Sequence, residues 1–249
     1  MSHILLENVS LSYPVFGANG RSFKTGLVKM ATGGTVGKTH HQLWIEALKN
    51  INLHLQSGDR LGLIGHNGAG KTTLLKVLAE IYEPTTGSIS IQGRSSCLFD
   101  MMMGMDNEST GYENIVLRGL LLGLSRTSIK NLIPDIEAFA ALGEFMKMPI
   151  KTYSSGMRIR LAFAIITSLP SDILLLDEVM NVGDVRFMEK AKVRMKNLIH
   201  KADILVLSTH DPLIMKEFCN KALWLEHGTI KAIGNIDTVL HQYQQEAEA

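Results

Sequence analysis

The spacing of apolar and polar positions divides the chain into short strands and amphipathic helices. Residues 4–9 (ILLENV) pattern as a short strand, and residues 46–55 (EALKNINLHL) alternate as a half-buried strand does. After a Ser57-Gly58-Asp59 turn, residues 60–64 form a compact apolar strand that ends in the glycine-rich residues 65–70. From Lys71 to Tyr82, Leu74, Leu75, Val77, Leu78 and Ile81 fall at helical spacing. Residues 111–147 read as helices interrupted at Gly123, Pro134 and Gly143, and residues 157–169 as another helix. Residues 173–176 and 204–207 are apolar runs of buried-strand length, with a helix over 186–199 between them. Residues 222–225 and 229–233 predict a small hairpin. Strands alternating with helices predict an α/β fold whose parallel sheet is covered on both faces.

Composition changes this picture little. Hydrophobic residues make up 45% and charged residues 20% of the 249, as in ordinary soluble domains. Lys and Arg total 25 against 24 Asp and Glu, a net charge of +1. That balance lacks the electrostatic footprint of nucleic-acid binding, so no nucleic-acid partner is expected. Cys97 and Cys219 are too few for a disulfide framework and are expected as reduced thiols of a cytosolic protein. No run of about 18 apolar residues predicts a membrane span. The opening Met-Ser-His-Ile lacks a signal-peptide pattern.

Residues 16–43 stand apart. They hold six glycines, no acidic residue occurs from 8 to 45, and Arg21, Lys24, Lys29 and Lys38 make the stretch basic. One reading is a solvated surface insertion. The other is a short helix over 22–30, with Phe23, Leu27 and Met30 on one face between lysines, as suits a membrane interface.

Four segments carry chemistry. Gly65-His66-Asn67-Gly68-Ala69-Gly70-Lys71-Thr72-Thr73 is the G-x-x-x-x-G-K-[ST] pattern between a strand and a helix. Its glycines let successive amides turn toward phosphates, and the helix start adds positive partial charge. Lys71 is expected to reach the β- and γ-phosphates, and the Thr72 hydroxyl to ligate Mg²⁺. The strand 173–176 runs into Asp177 and Glu178, carboxylates that are costly at a buried strand end unless they meet a cation or donors. Asp177 is expected to hold Mg²⁺ and Glu178 to polarise the attacking water. Tyr153-Ser154-Ser155-Gly156-Met157 opens a helix, with Ser154 as its N-cap and a second anion site at its start. Ser208-Thr209-His210-Asp211 follows another strand of the same sheet, where His210 is placed to donate to the γ-phosphate or hold the water.

The order GHNGAGKTT, YSSGM, LLLDE, STHD resembles the nucleotide-binding subunit of an ATP-binding cassette transporter over essentially the whole chain. The resemblance implies one ATPase domain over 1–249. It has a RecA-like phosphate-loop core with a parallel sheet, antiparallel strands on the N-terminal side, and an inserted helical subdomain over 100–157. It implies ATP and Mg²⁺, and two copies sandwiching two ATP molecules. Ser154, Ser155 and Gly156 of one copy would then meet the γ-phosphate on the phosphate loop of the other. Asn181-Val182-Gly183-Asp184 occupies the loop that communicates across such a dimer, and Tyr13 is the aromatic placed to stack on adenine.

The departures narrow the branch. Tyr153, Ser155 and Met157 differ from the usual Leu-Ser-Gly-Gly-Gln signature, and Asp100 stands where the family has a glutamine, at the position that senses Mg²⁺ or water. With Thr110-Gly111-Tyr112-Glu113-Asn114 and the insertion at 16–43, they resemble ATPases of bacterial polysaccharide exporters, which move O-antigen, capsule or teichoic-acid chains on lipid carriers. That resemblance implies two copies of an integral membrane permease as partner, a lipid-linked glycan as cargo, and a place at the cytoplasmic face of the inner membrane. Met101, Met102, Met103 and Met105 would border the groove for the permease. The tail at 234–249 is too short for the carbohydrate-binding domain that some of these exporters carry. A different importer or drug exporter, a soluble cassette ATPase and a phosphate-loop kinase are the competing readings. The signature argues against each of the first and last, and the single cassette against the second.

Overall fold

The computed structural model describes residues 2–15, 35–39, 42–99, 101–177 and 185–247. The chain divides into two compact units, Met1–Gly93 with Ile173–Glu178 and Asp203–Ala249, and Arg94–Asp172 with Val179–Ala202.

The first unit holds two sheets. In one, β1 (His3–Val15), β2 (Thr35–Thr39), β3 (Gln42–Gln56) and β5 (Thr86–Gln92) lie in the order β2-β3-β1-β5, all antiparallel. Strand β1 is longer than its apolar alternation predicts, and the reason is a bulge. Ile4 and Leu6 are buried, then Val9 and Leu11, so the buried face changes parity at Glu7-Asn8. Pairing with β3 shifts there, and Asn8 takes φ of 50°. The Asn52 side chain accepts from the Asn8 amide at 2.9 Å and so holds the bulge. Strand β2 is part of the expected insertion 16–43 and pairs with β3 from Thr35↔Glu46 to Thr39↔Gln42. The helix expected at 22–30 lies outside the described residues.

The other sheet of this unit runs β10-β9-β4-β8-β7. Its strands are β4 (Arg60–Ile64), β7 (Ile173–Asp177), β8 (Ile204–Ser208), β9 (Lys221–Glu226) and β10 (Thr229–Asn235). Strands β4, β7, β8 and β9 are parallel, as the uninterrupted apolar runs predict, and β10 returns antiparallel to β9. Leu61, Leu63, Ile173, Leu174, Leu175, Ile204, Leu205 and Val206 are fully buried, as strands covered on both faces must be. Helix α1 (Lys71–Leu78) follows β4. Two short helices were not legible in the pattern: Pro212–Phe218, started by Asp211 as N-cap and Pro212 in its first turn, and Ile236–Ala247.

The second unit holds the short strand β6 (Ser95–Cys97) and is otherwise helical: α2 (Gly111–Leu121), α3 (Arg126–Ala140), α4 (Ser155–Ser168) and α5 (Val185–Lys201), with two short 3-10 turns at Gly143–Lys147 and Ile150–Thr152. Thr110 and Glu113 cap α2 reciprocally. Ile115, Ile129, Ile136, Met146, Leu161 and Ile165 centre its core. Pro134, expected to interrupt, sits inside α3. Its missing N–H costs about 3 kcal/mol in a helix interior. Burial of Ile129, Ile136 and Ala140 along the same helix offsets that cost. Chain entry and exit are tied together. The Arg94 amide donates to Asp172 Oδ2 at 2.8 Å, and the Asp172 amide donates to the Arg94 carbonyl at 2.9 Å. Hydrogen bonds from the Arg94 backbone and guanidinium hold the Asp172 carboxyl below the ordinary carboxylate range.

Candidate functional site

In the first unit the register brings three chain segments level. Leu63 of β4 pairs with Ser208 of β8, and Ser208 pairs with Asp177 of β7. Segments 65–70 and 209–211, which leave β4 and β8, and Asp177 at the end of β7 therefore lie at one edge of the sheet. Ligands of open α/β sheets bind at that carboxyl edge.

The loop 65–70 is shaped by backbone contacts. Gly65 has φ of 145°, and a Cβ there would stand 2.3 Å from the Leu225 carbonyl of β9. Gly70 has φ of 109° at the start of α1, close against the Ala47 carbonyl and Leu48 of β3. No side chain caps α1, so its first amides are left for an anion. Lys71 is buried, and its ammonium donates to the carbonyls of Gly65 at 2.6 Å and His66 at 3.1 Å. The Thr72 hydroxyl donates to Asp177 Oδ2 at 2.6 Å. A hydroxyl and a carboxylate converging beside an ammonium are hard oxygen donors of the kind Mg²⁺ takes alongside nucleotide phosphates.

Ser208 and Thr209 are buried, whereas the His210 side chain is exposed. Asp211 fixes the turn after it by accepting from the amides of Leu213 and Ile214. Glu178 and Asp100 lie outside the described residues, as does the loop 181–184.

Tyr13 is half exposed on β1, its ring centroid 6.5 Å from that of Tyr82. The ammonium of Lys76, on α1, lies 5.2 Å over Tyr82. The sequence pattern singled out Tyr13 but neither Tyr82 nor Lys76. Tyr82 follows the helix end, and the bonds of Thr85 to Ser10 and Ser12, with the pairing of β5 on β1 from Ser10↔Thr86, carry it to β1.

In the second unit Ser154 is the N-cap of α4, as expected, and accepts from the Met157 amide at 3.3 Å. Ser154 and Ser155 are exposed, and a Cβ on Gly156 would meet nothing within 4 Å. The departures at Tyr153 and Met157 belong to this unit's core. Tyr153 is buried, donates to the Phe145 carbonyl at 2.5 Å, and its phenol is pushed up by burial. Met157 packs against the same cluster. Met102 and Met105 do likewise, while Met103, Leu120 and Leu121 are exposed. Cys97 and Cys219 are free thiols that burial pushes up to about 12, which leaves them inert as nucleophiles. Among the described residues no helix is long and apolar enough to cross a membrane.

A phosphate loop with its partner carboxylate at the edge of a parallel sheet, and a helical unit with a serine-capped helix start, define a nucleotide-binding cassette. Residues 48–181 match the ABC transporter family, and the chain belongs to that family, as an ATP-binding ATPase. It is 46% identical over 231 residues to the O-antigen export system ATP-binding protein RfbE of Yersinia enterocolitica, covering 92% of this chain and 97% of that one. It is 36% identical to the O-antigen export system ATP-binding protein RfbB of Myxococcus xanthus and 39% to the teichoic acids export ATP-binding protein TagH of Bacillus anthracis. It spans only 56% and 36% of those two proteins. Among solved structures, an ATP-binding subunit of an ABC transporter superposes with a TM-score of 0.69 at 22% identity, covering 97% of this chain and 93% of that one. A dimeric ATP-binding cassette bound to ADP and Pi superposes at 0.65 and 20% identity, covering 94% and 98%. Both carry the same α/β fold with a RecA-like core.

Proposed function

We propose that this chain is the ATP-hydrolysing motor of an exporter of lipid-linked polysaccharide, paired with an integral membrane permease at the cytoplasmic face of the inner membrane. The likeness to the Yersinia O-antigen export protein over nearly the full length of both chains carries this reading.

The chemistry is assigned to the two units separately. The amides of 65–70 and the α1 start receive the phosphates of ATP, and Lys71 exchanges its carbonyl contacts for phosphate oxygens. The Thr72 hydroxyl and Asp177 carboxylate hold Mg²⁺, with Asp100 as a further contributor. When bound, the ion neutralises charge on the β- and γ-phosphate oxygens. Glu178 polarises the attacking water and His210 orients it or donates to the γ-phosphate. Tyr13, with Tyr82 beside it, stacks on adenine. Ser154, Ser155 and Gly156 offer the amides of the α4 start to the γ-phosphate held by a second copy. Exposed Met103, Leu120 and Leu121 meet the permease.

The test is reconstitution with a copurifying polytopic membrane subunit. Addition of a lipid-linked glycan should stimulate ATP hydrolysis several-fold. Stimulation by unrelated small molecules with none by the glycan would reject polysaccharide export while leaving the ATPase assignment standing.

A further inference from the structure

We propose that His227, which lies in the β9–β10 turn and outside every motif, is a positioning residue for the phosphate loop and acts through His66. The inference rests on residues 65–73 being the nucleotide site.

The two imidazole rings lie 4.8 Å apart between centroids, tilted by 55°. His66 Nδ1 is 2.8 Å from the Asn67 carbonyl. A carbonyl only accepts, so Nδ1 carries a proton and donates. Nε2 is buried without a hydrogen-bond partner among the described residues. That edge of the ring is therefore held by packing, and the His227 ring supplies an aromatic wall beside it.

What moves with His66 is the anchor of the site. Its carbonyl accepts from the Lys71 ammonium at 3.1 Å and from the Ala69 amide at 3.1 Å. A swing of the residue shifts both the loop and the lysine.

His227, by contrast, stands on a fixed support. The next residue, Gly228, donates to the Ala69 carbonyl at 3.0 Å and accepts from the Lys49 amide at 2.8 Å. A Cβ on Gly228 would lie 2.6 Å from the Ala47 carbonyl, so the turn is seated directly on β3. His227 itself has φ of 47°, a left-handed position that a non-glycine residue occupies at a cost. The turn thus ties β3 to the phosphate loop by backbone bonds, and the His227 ring extends the tie to the loop's one imidazole.

The experiment measures MgATP affinity and steady-state hydrolysis on the full chain. His227→Asn keeps the left-handed turn, which Asn tolerates, and removes the ring. It should raise Kd and KM for ATP about five- to tenfold with kcat within about twofold, at an unchanged Tm; a side chain that only stabilised the hairpin would lower Tm and leave KM alone. His227→Tyr restores an aromatic wall and should bring KM back toward wild type. Should the tyrosine strain the turn, a cycle with His66→Ala decides instead: both changes remove one contact, so the double variant should bind ATP no more weakly than His66→Ala alone. An unchanged KM in His227→Asn, a fall in kcat at constant KM, or additive losses in the cycle would overturn the proposal. Lys71→Ala runs beside these variants. If it binds ATP normally, the phosphate-site reading fails rather than the role of His227.

Discussion

The phosphate loop and the start of α4 are both glycine-containing segments at helix N-termini, proposed to receive phosphate, yet the protein builds them in opposite ways. Around Gly65 and Gly70 the chain packs backbone against backbone, with carbonyls of β9 and β3 where side chains would stand. Around Gly156 none of the described residues would come within 4 Å of a Cβ, and Ser154 and Ser155 are exposed. The first is finished by its own unit. The second has amides and a cap but, among the described residues, no wall. A glycine that packing requires at Gly65 is thereby told apart from one that packing does not require at Gly156.

The largest effect tests whether the chemistry sits with the walled region. Glu178→Gln should cut hydrolysis by roughly 10³-fold, about 4 kcal/mol in barrier, while ATP binding persists. Single-turnover assays at near-normal rate would remove Glu178 from that role. Gly65→Ala should be next. Its Cβ has no room and its φ is unsuitable, so thermal unfolding should show a loss of about 3 kcal/mol along with loss of nucleotide binding. Tyr13→Ala should weaken ATP by roughly tenfold and Tyr13→Phe hardly at all, since base stacking contributes about 1–3 kcal/mol. Equal affinity in the alanine variant would move the adenine contact to Tyr82.

Gly156→Ala sharpens the contrast from the other side. Alanine in that helical position should leave Tm unchanged or raise it, by up to about 1 kcal/mol. ATP-dependent dimerisation, followed by light scattering, should nevertheless fall. A variant that unfolds early would erase the distinction between the two sites. The smallest effect is one of pH. The Asp172 carboxyl is held low by Arg94, so its contribution is present above the ordinary carboxylate range and is lost as pH falls through its lowered value. Asp172→Asn should flatten that part of the acid-unfolding profile.

The walled site was the more legible of the two. Its strand, loop and helix are consecutive in the chain, and Lys71, Thr72 and Asp177 meet where the motif spacing places them. The Ser154 cap was equally readable, because capping acts over three residues. Tyr82 and His227 were not, because neither carries a local pattern: what sets Tyr82 beside Tyr13 and His227 beside His66 is the pairing and packing of segments far apart in sequence. Strands β2 and β5 escaped for a related reason. Both are glycine-bearing edge strands, and β5 is mostly exposed, so its pattern alternates too weakly to read. Pro134 misled in the other direction, since tertiary burial overrode a local breaker.

The paired hydrogen bonds between Arg94 and Asp172 close the intervening stretch into a loop whose ends are pinned to each other. Once ends are pinned, the entropy of closure grows only slowly with length, by about 0.6 kcal/mol for each doubling. Closure therefore sets only a weak limit on the length of that segment, and the residue after Asp172 enters β7 in register; its composition is limited instead by packing against α5, where Phe139 and Phe163 meet Phe187.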